Sequence, residues 1–263
     1  MKHLSILIAF VVVSCTSVHT QTSTNKENKN SISVNAVLWQ QTSGEYRALC
    51  YQAYNLAKLR LDEALQIKLD KKPAVIVDID ETILDNSPFQ ANLIVNNGTY
   101  SQGLWKTWTQ SAQAIPVPGA LEFLTYAASK GADVYYITNR KLEEHDGTLE
   151  NIKKTGFPQA DDSHLMMRDE SSSKEKRRLK VAETHEVVLL CGDNLNDFID
   201  IFEKKTIAER FEGVDKLKEQ WGKKFIVLPN PLYGDWEGAV YDNMYSLPDS
   251  VKEAKRKAAF RLK

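Results

Sequence analysis

The pattern of apolar and polar positions divides the 263-residue chain into unequal parts. Leu4 to Val13 is apolar apart from Ser5. Residues 16–34 are rich in Ser, Thr, Asn, Gln and Lys, the composition of a solvated tether. From Asn35 to Leu69 the period becomes helical: Tyr46, Leu49, Cys50, Ala53, Leu56 and Leu59 recur at three- and four-residue steps. Gly44 is expected to break this segment into two helices, which pack on the core or form part of a cap. Ala74-Val75-Ile76-Val77 then reads as a buried strand of a parallel sheet, running straight into Asp78-Ile79-Asp80-Glu81-Thr82. Asp85 to Pro118 has no clean periodicity and contains Phe89, Tyr100, Trp105 and Trp108. An insertion of this length directly after such a strand reads as a lid.

Beyond it, strands and helices alternate. Pro118 opens a helix carrying Leu121, Leu124 and Ala128, followed by a strand at Val134–Ile137 that ends in Thr138-Asn139-Arg140. Leu142–Lys154 reads as a helix closed by Gly156 and Pro158. A short strand at His164–Met167, a basic helix at Ser173–Thr184 and a strand at Val187–Cys191 come next. After Gly192-Asp193-Asn194 a further helix is expected, then a strand at Phe225–Leu228. A last helix begins near Ser250 with the capping box Ser250-x-x-Glu253. Such alternation means an α/β fold, with a mostly parallel sheet, helices on both faces and right-handed crossovers.

Composition narrows the options. Hydrophobic residues make up 42% of the chain, enough for a sizeable core in one large domain or two small ones. The formal net charge of −1 supplies no global basic field to attract a nucleic acid polymer. Lys2 and the apolar run after it form a leader too short to span a bilayer as a stable helix. The leader ends in Val12-Val13-Ser14-Cys15, similar to a bacterial lipoprotein processing site, so Cys15 is a candidate for lipidation. The alternative is an ordinary signal peptide with a chance cysteine. Cys50 and Cys191 read as small core residues. Export leaves a bridge between them chemically open.

The candidate chemistry lies at strand ends. Asp78 closes its strand at the carboxyl edge, where open α/β sheets bind ligands. On a continuing strand Asp80 would point to the same face. Two such carboxylates repel unless a cation sits between them or one holds a proton, which points to magnesium or an acid–base pair. Alone, Asp-x-Asp is equally an acidic turn. Two further strands end in Thr138 and in Gly192-Asp193-x-x-x-Asp197, and Lys174 starts a helix between them. Parallel strands present these groups in one crevice. Lys174 also sits in a charge run typical of a solvated helix face, with Lys180 as the alternative, and Thr138 and Asp197 have the residue types of helix caps. The five His residues form no cluster with ligand spacing, which excludes a zinc site of the usual kind.

This set resembles the haloacid dehalogenase superfamily of phosphotransferases, with all four motifs in order. More narrowly the chain is similar to the bacterial class C acid phosphatases, the outer-membrane lipoprotein e family. The residues that carry the likeness are Ser43-Gly44-Glu45-Tyr46, Tyr51-Gln52-Ala53-Tyr54-Asn55, Asp78 to Thr82, Leu84-Asp85-Asn86-Ser87-Pro88, Thr138-Asn139-Arg140, Gly192 to Leu195 and Leu228 to Glu237. A glycine or asparagine near Asp235 and a methionine near Leu232 are replaced here.

The resemblance implies a haloacid-dehalogenase-like, Rossmann-like fold with a small, largely helical cap. It divides the chain into a lipoprotein signal peptide (1–14), a tether after a lipidated Cys15 (15–34) and a phosphatase domain (35–263). Cap elements are then expected near 35–70 and 85–116, with the core from residue 71. The implied activity is Mg²⁺-dependent hydrolysis of phosphate monoesters, nucleoside monophosphates among them. Asp78 is the implied nucleophile and Asp80 the general acid and base, for which an acidic working pH is suited. Thr138 donates to the phosphoryl oxygens and Lys174 neutralises charge. Asp78, the main chain at Asp80, Asp193 and, through water, Asp197 hold the metal. Asn139, Arg140, Tyr100 and Tyr233 are implied substrate contacts, the two tyrosines sandwiching a nucleotide base. Lipidation implies an anchor at the cell envelope, the outer membrane by family. The oligomeric state stays open, a dimer among the options.

Two rivals come from other classes. One is a non-catalytic surface lipoprotein that binds haem or another nutrient, since the family has been linked with haem acquisition. The other is a sugar transferase using Asp-x-Asp to hold a metal-bound nucleotide sugar. The intact set of Asp78, Asp80, Thr138, Lys174 and Asp193 argues against both.

Overall fold

The structure, a computed structural model, describes residues 31–262. Cys15 and the leader lie outside the described residues. The chain opens with α1 (Ser31–Thr42) and α2 (Gly44–Leu65), followed by β1 (Lys72–Val77). An excursion follows through β2 (Leu84–Asp85), α3 (Ser87–Val95), α4 (Gln102–Gln110) and β3 (Ile115–Pro116). Then come α5 (Ala120–Ser129), β4 (Asp133–Lys141), α6 (His145–Lys154), β5 (Leu165–Arg168), α7 (Glu175–Thr184) and β6 (His185–Gly192). The chain ends with α8 (Ile207–Lys216), β7 (Phe225–Val227), the short α9 (Asp235–Gly238) and α10 (Asp249–Ala258).

The main sheet has five strands in the order β5-β4-β1-β6-β7, and every neighbouring pair is parallel. Alternation along β1 sorts its side chains between two cores. Val75 and Val77 meet Tyr54, Phe123, Leu124 and Ile152 from α2, α5 and α6. Ala74 and Ile76 face Val181 of α7, together with Phe198 and Phe225. The α/β sandwich expected from the sequence is therefore present, with β1 in the middle.

The break at Gly44 is also present: Ser43 Oγ accepts from Tyr46 N at 3.0 Å and caps α2. The expected stripe on α2 is present in part. Its buried face is Tyr46, Cys50, Ala53, Tyr54, Ala57 and Leu61, whereas Leu49 and Leu59 are exposed. Small side chains at Cys50, Ala53 and Ala57 let the helix lie close to α5 and the sheet, and Tyr54 Oη donates to Thr82 O at 2.6 Å beneath the acidic turn. So α2 is a core helix and not a cap element. Only α1, which lies against α3, joins the cap side, and it already takes up residues 31–34 of the expected tether.

Other boundaries shift for local reasons. The helix expected from Pro118 starts at Ala120, after Gly119 takes φ +86°. Leu142–Glu144 is a separate 3-10 turn ahead of α6. After Asp193 two 3-10 turns precede α8, because Asn194 and Asp197 cap each other reciprocally. The box at Ser250 does not form; α10 starts one residue earlier behind Pro248, and Glu253 pairs with Lys257 at 2.6 Å. Cys50 and Cys191 are buried free thiols, so the bridge left open by export is absent.

Between β2 and β3, a two-residue antiparallel stem, α3 and α4 bury Phe89, Leu93 and Trp105 against one another. This small cluster is the cap. It sits above the carboxyl end of β1 and is rooted on α6, where a Cβ at Gly147 would lie 2.6 Å from Thr109 O.

The amino-terminal edge of the sheet has its own fastening. Asp133 accepts from Lys72 Nζ and Gln159 Nε2, each at 2.6 Å, and pairs with His185 Nε2 at 2.8 Å, which ties β1, β4 and β6 together. Desolvation pushes the Asp133 carboxyl up, but these hydrogen bonds outweigh it and its pKa lies below the ordinary value. A lowered folded-state pKa means stability present above the unfolded value near 3.9, lost as pH falls through the folded one. Asp133→Ala should cost about 1–3 kcal/mol in urea unfolding at pH 7. The difference from wild type should shrink in acid; a gap that is constant down to low pH would refute the assignment.

Candidate active site

Parallel pairing of β1 with β6 aligns Val77 with Cys191 and brings two acidic turns together. Asp78 N donates to Cys191 O at 3.0 Å, which extends the ladder by one bond beyond β1. The chain then turns: Ile83 N and Leu84 N both donate to Ile79 O at 2.9 Å, with Glu81 at φ +58°. A non-glycine residue there stores roughly 1 kcal/mol of strain, and such strain clusters at functional sites. Because β1 ends at Val77, the two-residue alternation does not reach Asp80, and the two carboxylates take different partners.

Asp78 belongs to a buried acidic cluster. One oxygen each of Asp78, Asp193 and Asp197 lies within 4.8 Å of the others, the one grouping with ligand geometry among the described residues. Lys174, buried at the N-cap of α7, bonds Asp78 Oδ1 and pairs with Asp197 Oδ1 at 2.7 Å. Asp193 accepts from Thr82 Oγ1 at 3.2 Å and from Asn230 Nδ2 at 2.7 Å. Asp197 Oδ2 accepts from Asn194 N at 2.9 Å. Gly192 allows this approach, since a Cβ there would lie 2.5 Å from Asp197 Oδ2.

The electrostatics follow from burial. Desolvation pushes the Asp78 carboxyl up to about 7, against the pull of Lys174 and with help from Asp197 and Asp80. Desolvation, Asp197 and Asp78 raise Asp193 well above the carboxylate range. Desolvation alone would lower the Lys174 ammonium, but Asp197 and Asp78 outweigh it and hold it charged. Two buried acids, Asp78 and Asp197, and the half-buried Asp193 thus face one ammonium. A divalent cation would complete the balance, and an all-oxygen donor set is what hard cations take.

Asp80 faces another way. Arg140 grips it with Nε at 3.0 Å and Nη2 at 2.7 Å on Oδ1, and Asn86 Nδ2 adds a bond at 2.9 Å. Arg140 is only 2% exposed and its remaining donor reaches Thr148 at 3.1 Å. Expected to touch substrate, it instead holds Asp80. Asn139 is exposed and accepts from Arg177 Nη2 at 2.9 Å. The fully buried Thr138 accepts from Arg140 N at 3.1 Å through its hydroxyl, whose own proton is therefore available as a donor. Tyr233 Oη donates to Glu81, a buried acid pushed up to about 8 by desolvation, with Asp80 adding to the rise. Tyr100 stands 58% exposed in the cap, edge-on to Phe89.

Comparison with known proteins agrees with this geometry. The family described as HAD superfamily, subfamily IIIB (acid phosphatase), matches residues 3–236. The chain belongs to this acid phosphatase family. It is similar to the class C acid phosphatase from Bacillus anthracis, with 44% identity, a TM-score of 0.86, and coverage of 89% of this chain and 98% of that one. The same enzyme with tungstate bound gives 43% identity and a TM-score of 0.85 over the same shares. Acid phosphatase 1 of Solanum lycopersicum is 23% identical over 62% of this chain and 60% of its own length. The stem 28 kDa glycoprotein of Glycine max is 21% identical over 74% and 70%. The chain thus spans roughly 60–70% of these curated relatives' length.

Membership, with the likeness to the class C enzyme over most of the chain, makes the protein a phosphomonoesterase. Several groups of the phosphatase site went unassigned in the sequence: Glu81, Thr82, Asn86, Trp108, Arg177 and Asn230. Asn230 is signalled by its place between Pro229 and Pro231 after a strand; Thr82, Trp108 and Arg177 act through partners far along the chain, while Glu81 and Asn86 also bond each other within one turn. Asp235 accepts from Asn196 and Tyr245 and so fastens the turn after Asp193 to the C-terminal segment.

Gly192→Ala should displace Asp197 from Lys174 and lower turnover roughly tenfold or more while far-UV circular dichroism stays unchanged. Full activity in that variant would show that the close approach at Gly192 has no functional weight.

Proposed function

We propose that the phosphatase is Mg²⁺-dependent and hydrolyses phosphate monoesters, nucleoside monophosphates among them, through an aspartyl-phosphate on Asp78. The observation that carries this is the position of Asp78: buried at the end of the central strand, bonded to Lys174 and clustered with Asp193 and Asp197. Asp78, Asp193, Asp197 and the main chain at Asp80 would hold the ion, which when bound supplies positive charge to the phosphoryl oxygens.

The chain's own groups do the rest. Lys174 takes Asp78 Oδ1 and leaves Oδ2 to attack phosphorus. The bond to the leaving oxygen breaks as Asp80 gives that oxygen a proton. Thr138 donates to a phosphoryl oxygen, and Lys174 offsets the charge that spreads over the group in flight. Asp80 then takes a proton from the water that attacks the aspartyl-phosphate, which frees phosphate and restores Asp78. That the similar Bacillus anthracis enzyme binds tungstate, an oxyanion, supports an oxyanion site in this chain. Tyr100 in the cap and Tyr233 over Glu81 supply aromatic faces for a base, a stack worth roughly 1–3 kcal/mol. The leader and Cys15 support export and a lipid anchor at the envelope; membrane partitioning of wild type against Cys15→Ala tests this.

A rate series on aryl and alkyl phosphates, with acid-quenched labelling of the protein, tests the chemistry. Asp78→Asn should abolish turnover with every substrate and form no phosphoenzyme. Asp80→Asn should fall about 10²–10⁴-fold on alkyl phosphates and less on aryl phosphates, with phosphoenzyme still formed. Labelling retained in Asp78→Asn and absent in Asp80→Asn would reverse the two roles. In the same series Tyr100→Ala should raise KM for a nucleoside monophosphate more than for a small alkyl phosphate; equal increases would remove the base contact.

A further inference from the structure

We infer that the cap helix α4 positions Asp80, so that docking of the cap governs protonation of the leaving group. This rests on the acid–base role proposed for Asp80. Trp105 and Trp108 are three apart on α4 and share a face. Trp108 Nε1 donates to Asn86 Oδ1 at 2.7 Å, and Asn86 Nδ2 donates to Asp80 Oδ1 at 2.9 Å. The Trp105 ring lies 5.6 Å from the Arg140 guanidinium, which grips the same carboxylate. Both tryptophans of α4 therefore meet the two groups that hold Asp80.

The amide of Asn86 makes the contact directional. Its oxygen receives Trp108 Nε1 and, at 3.4 Å, Arg140 Nη2; its nitrogen reaches Asp80 and, at 3.3 Å, Glu81. Indole and guanidinium only donate, so the oxygen must face them and the NH₂ group must face the two acids. A flipped amide would set its oxygen against both carboxyl groups. Asn86 is fully buried, so no water can substitute for a lost partner. A buried indole N–H takes some acceptor in most proteins. Here the acceptor is the amide that orients the proposed acid, and the neighbouring indole covers the other orienting group.

The helix is also fixed to the core along the neighbouring face. Gln102 Nε2 donates to the buried Glu144 at 2.5 Å, Lys106 pairs with Glu143 at 3.3 Å, and the backbone at Thr109 rests on Gly147. A shift of α4 would be felt at Asp80 through Trp108 and Trp105. Proton delivery to an alkoxide tolerates little misplacement, whereas an aryl oxide leaves with little help.

The test uses the full-length enzyme with its metal. Trp108→Phe keeps the ring and removes the donor. Turnover of an alkyl phosphate should fall about three- to tenfold, the worth of one hydrogen bond to a buried group. KM should change less than about twofold, and turnover of an aryl phosphate should stay within that margin. In an Asp80→Asn background the same substitution should leave the alkyl-to-aryl ratio unchanged. Gly147→Ala, which moves α4 without altering either tryptophan, should show the same selective loss. Equal losses on both substrates, or an undiminished effect in the Asp80→Asn background, would overturn the inference. If Asp80→Asn is itself not selective for alkyl phosphates, the acid–base reading falls and takes the inference with it. If Asp80→Asn is selective and Trp108→Phe is not, only the inference falls.

Discussion

Crowding of Asp78, Asp193 and Asp197 around one lysine is the constraint on which the rest of the structure depends. Acids this close in a mostly buried site cannot all ionise without compensation, and Lys174 supplies one positive charge against three acids. The fold holds them there from behind. Asp78 is set by the ladder between β1 and β6, and Asp193 by Thr82 and Asn230. Asp197 is set by the bare Cα of Gly192 and by Arg178, whose Nη1 bonds Asn196 O at 2.9 Å and Asp197 O at 3.0 Å. Such a site sacrifices stability for function, and the two apolar layers on either face of β1 supply the stability.

The same logic extends outward. α2 presses small residues and two tyrosines on the sheet, and Tyr54 reaches through to Thr82 O under the turn that bears Asp80. The cap returns from the other side, with Trp105 and Trp108 over Arg140 and Asn86. Asp78 and Asp80 are close in sequence yet have opposite surroundings. One lies among acids and a lysine, the other between a guanidinium and an amide. Divergent environments for neighbouring carboxyl groups are how one turn can host a nucleophile and an acid.

The parallel sheet, its strand ends and the acidic residues at those ends were legible in the sequence, because each is a local pattern: a β-branched run followed by a polar turn. The resemblance to class C acid phosphatases added Lys174, whose charge run alone looks like a solvated helix face. Other features were not legible. The stripe read along α2 holds Tyr46, Cys50 and Ala53, which are buried, but also Leu49 and Leu59, which are exposed; close packing chose Tyr54, Ala57 and Leu61 in their place. Arg140 read as a substrate contact, since its partner lies 60 positions away and no local pattern marks a pair at that separation. The link from Trp108 to Asn86 is hidden for the same reason. The Ser250 box failed because Glu253 took Lys257 on its own helix instead.

The most direct measurement is thermal unfolding with Mg²⁺ and with chelator, for wild type and Asp193→Asn. An asparagine there keeps both neighbours, with its oxygen toward Asn230 and its NH₂ toward the Thr82 hydroxyl, and removes an acid whose ionisation burial and its acidic neighbours resist, a cost that metal-free wild type carries at neutral pH. At a hundredfold excess over Kd, Mg²⁺ should stabilise wild type by about 2.7 kcal/mol, or roughly 5–10 °C in Tm. Without metal Asp193→Asn should melt above wild type, and Mg²⁺ should leave it nearly unmoved. A metal-free Asp193→Asn that melts below wild type, or that responds to Mg²⁺ as wild type does, would contradict the claim that buried acidic repulsion, relieved by a cation, governs this site.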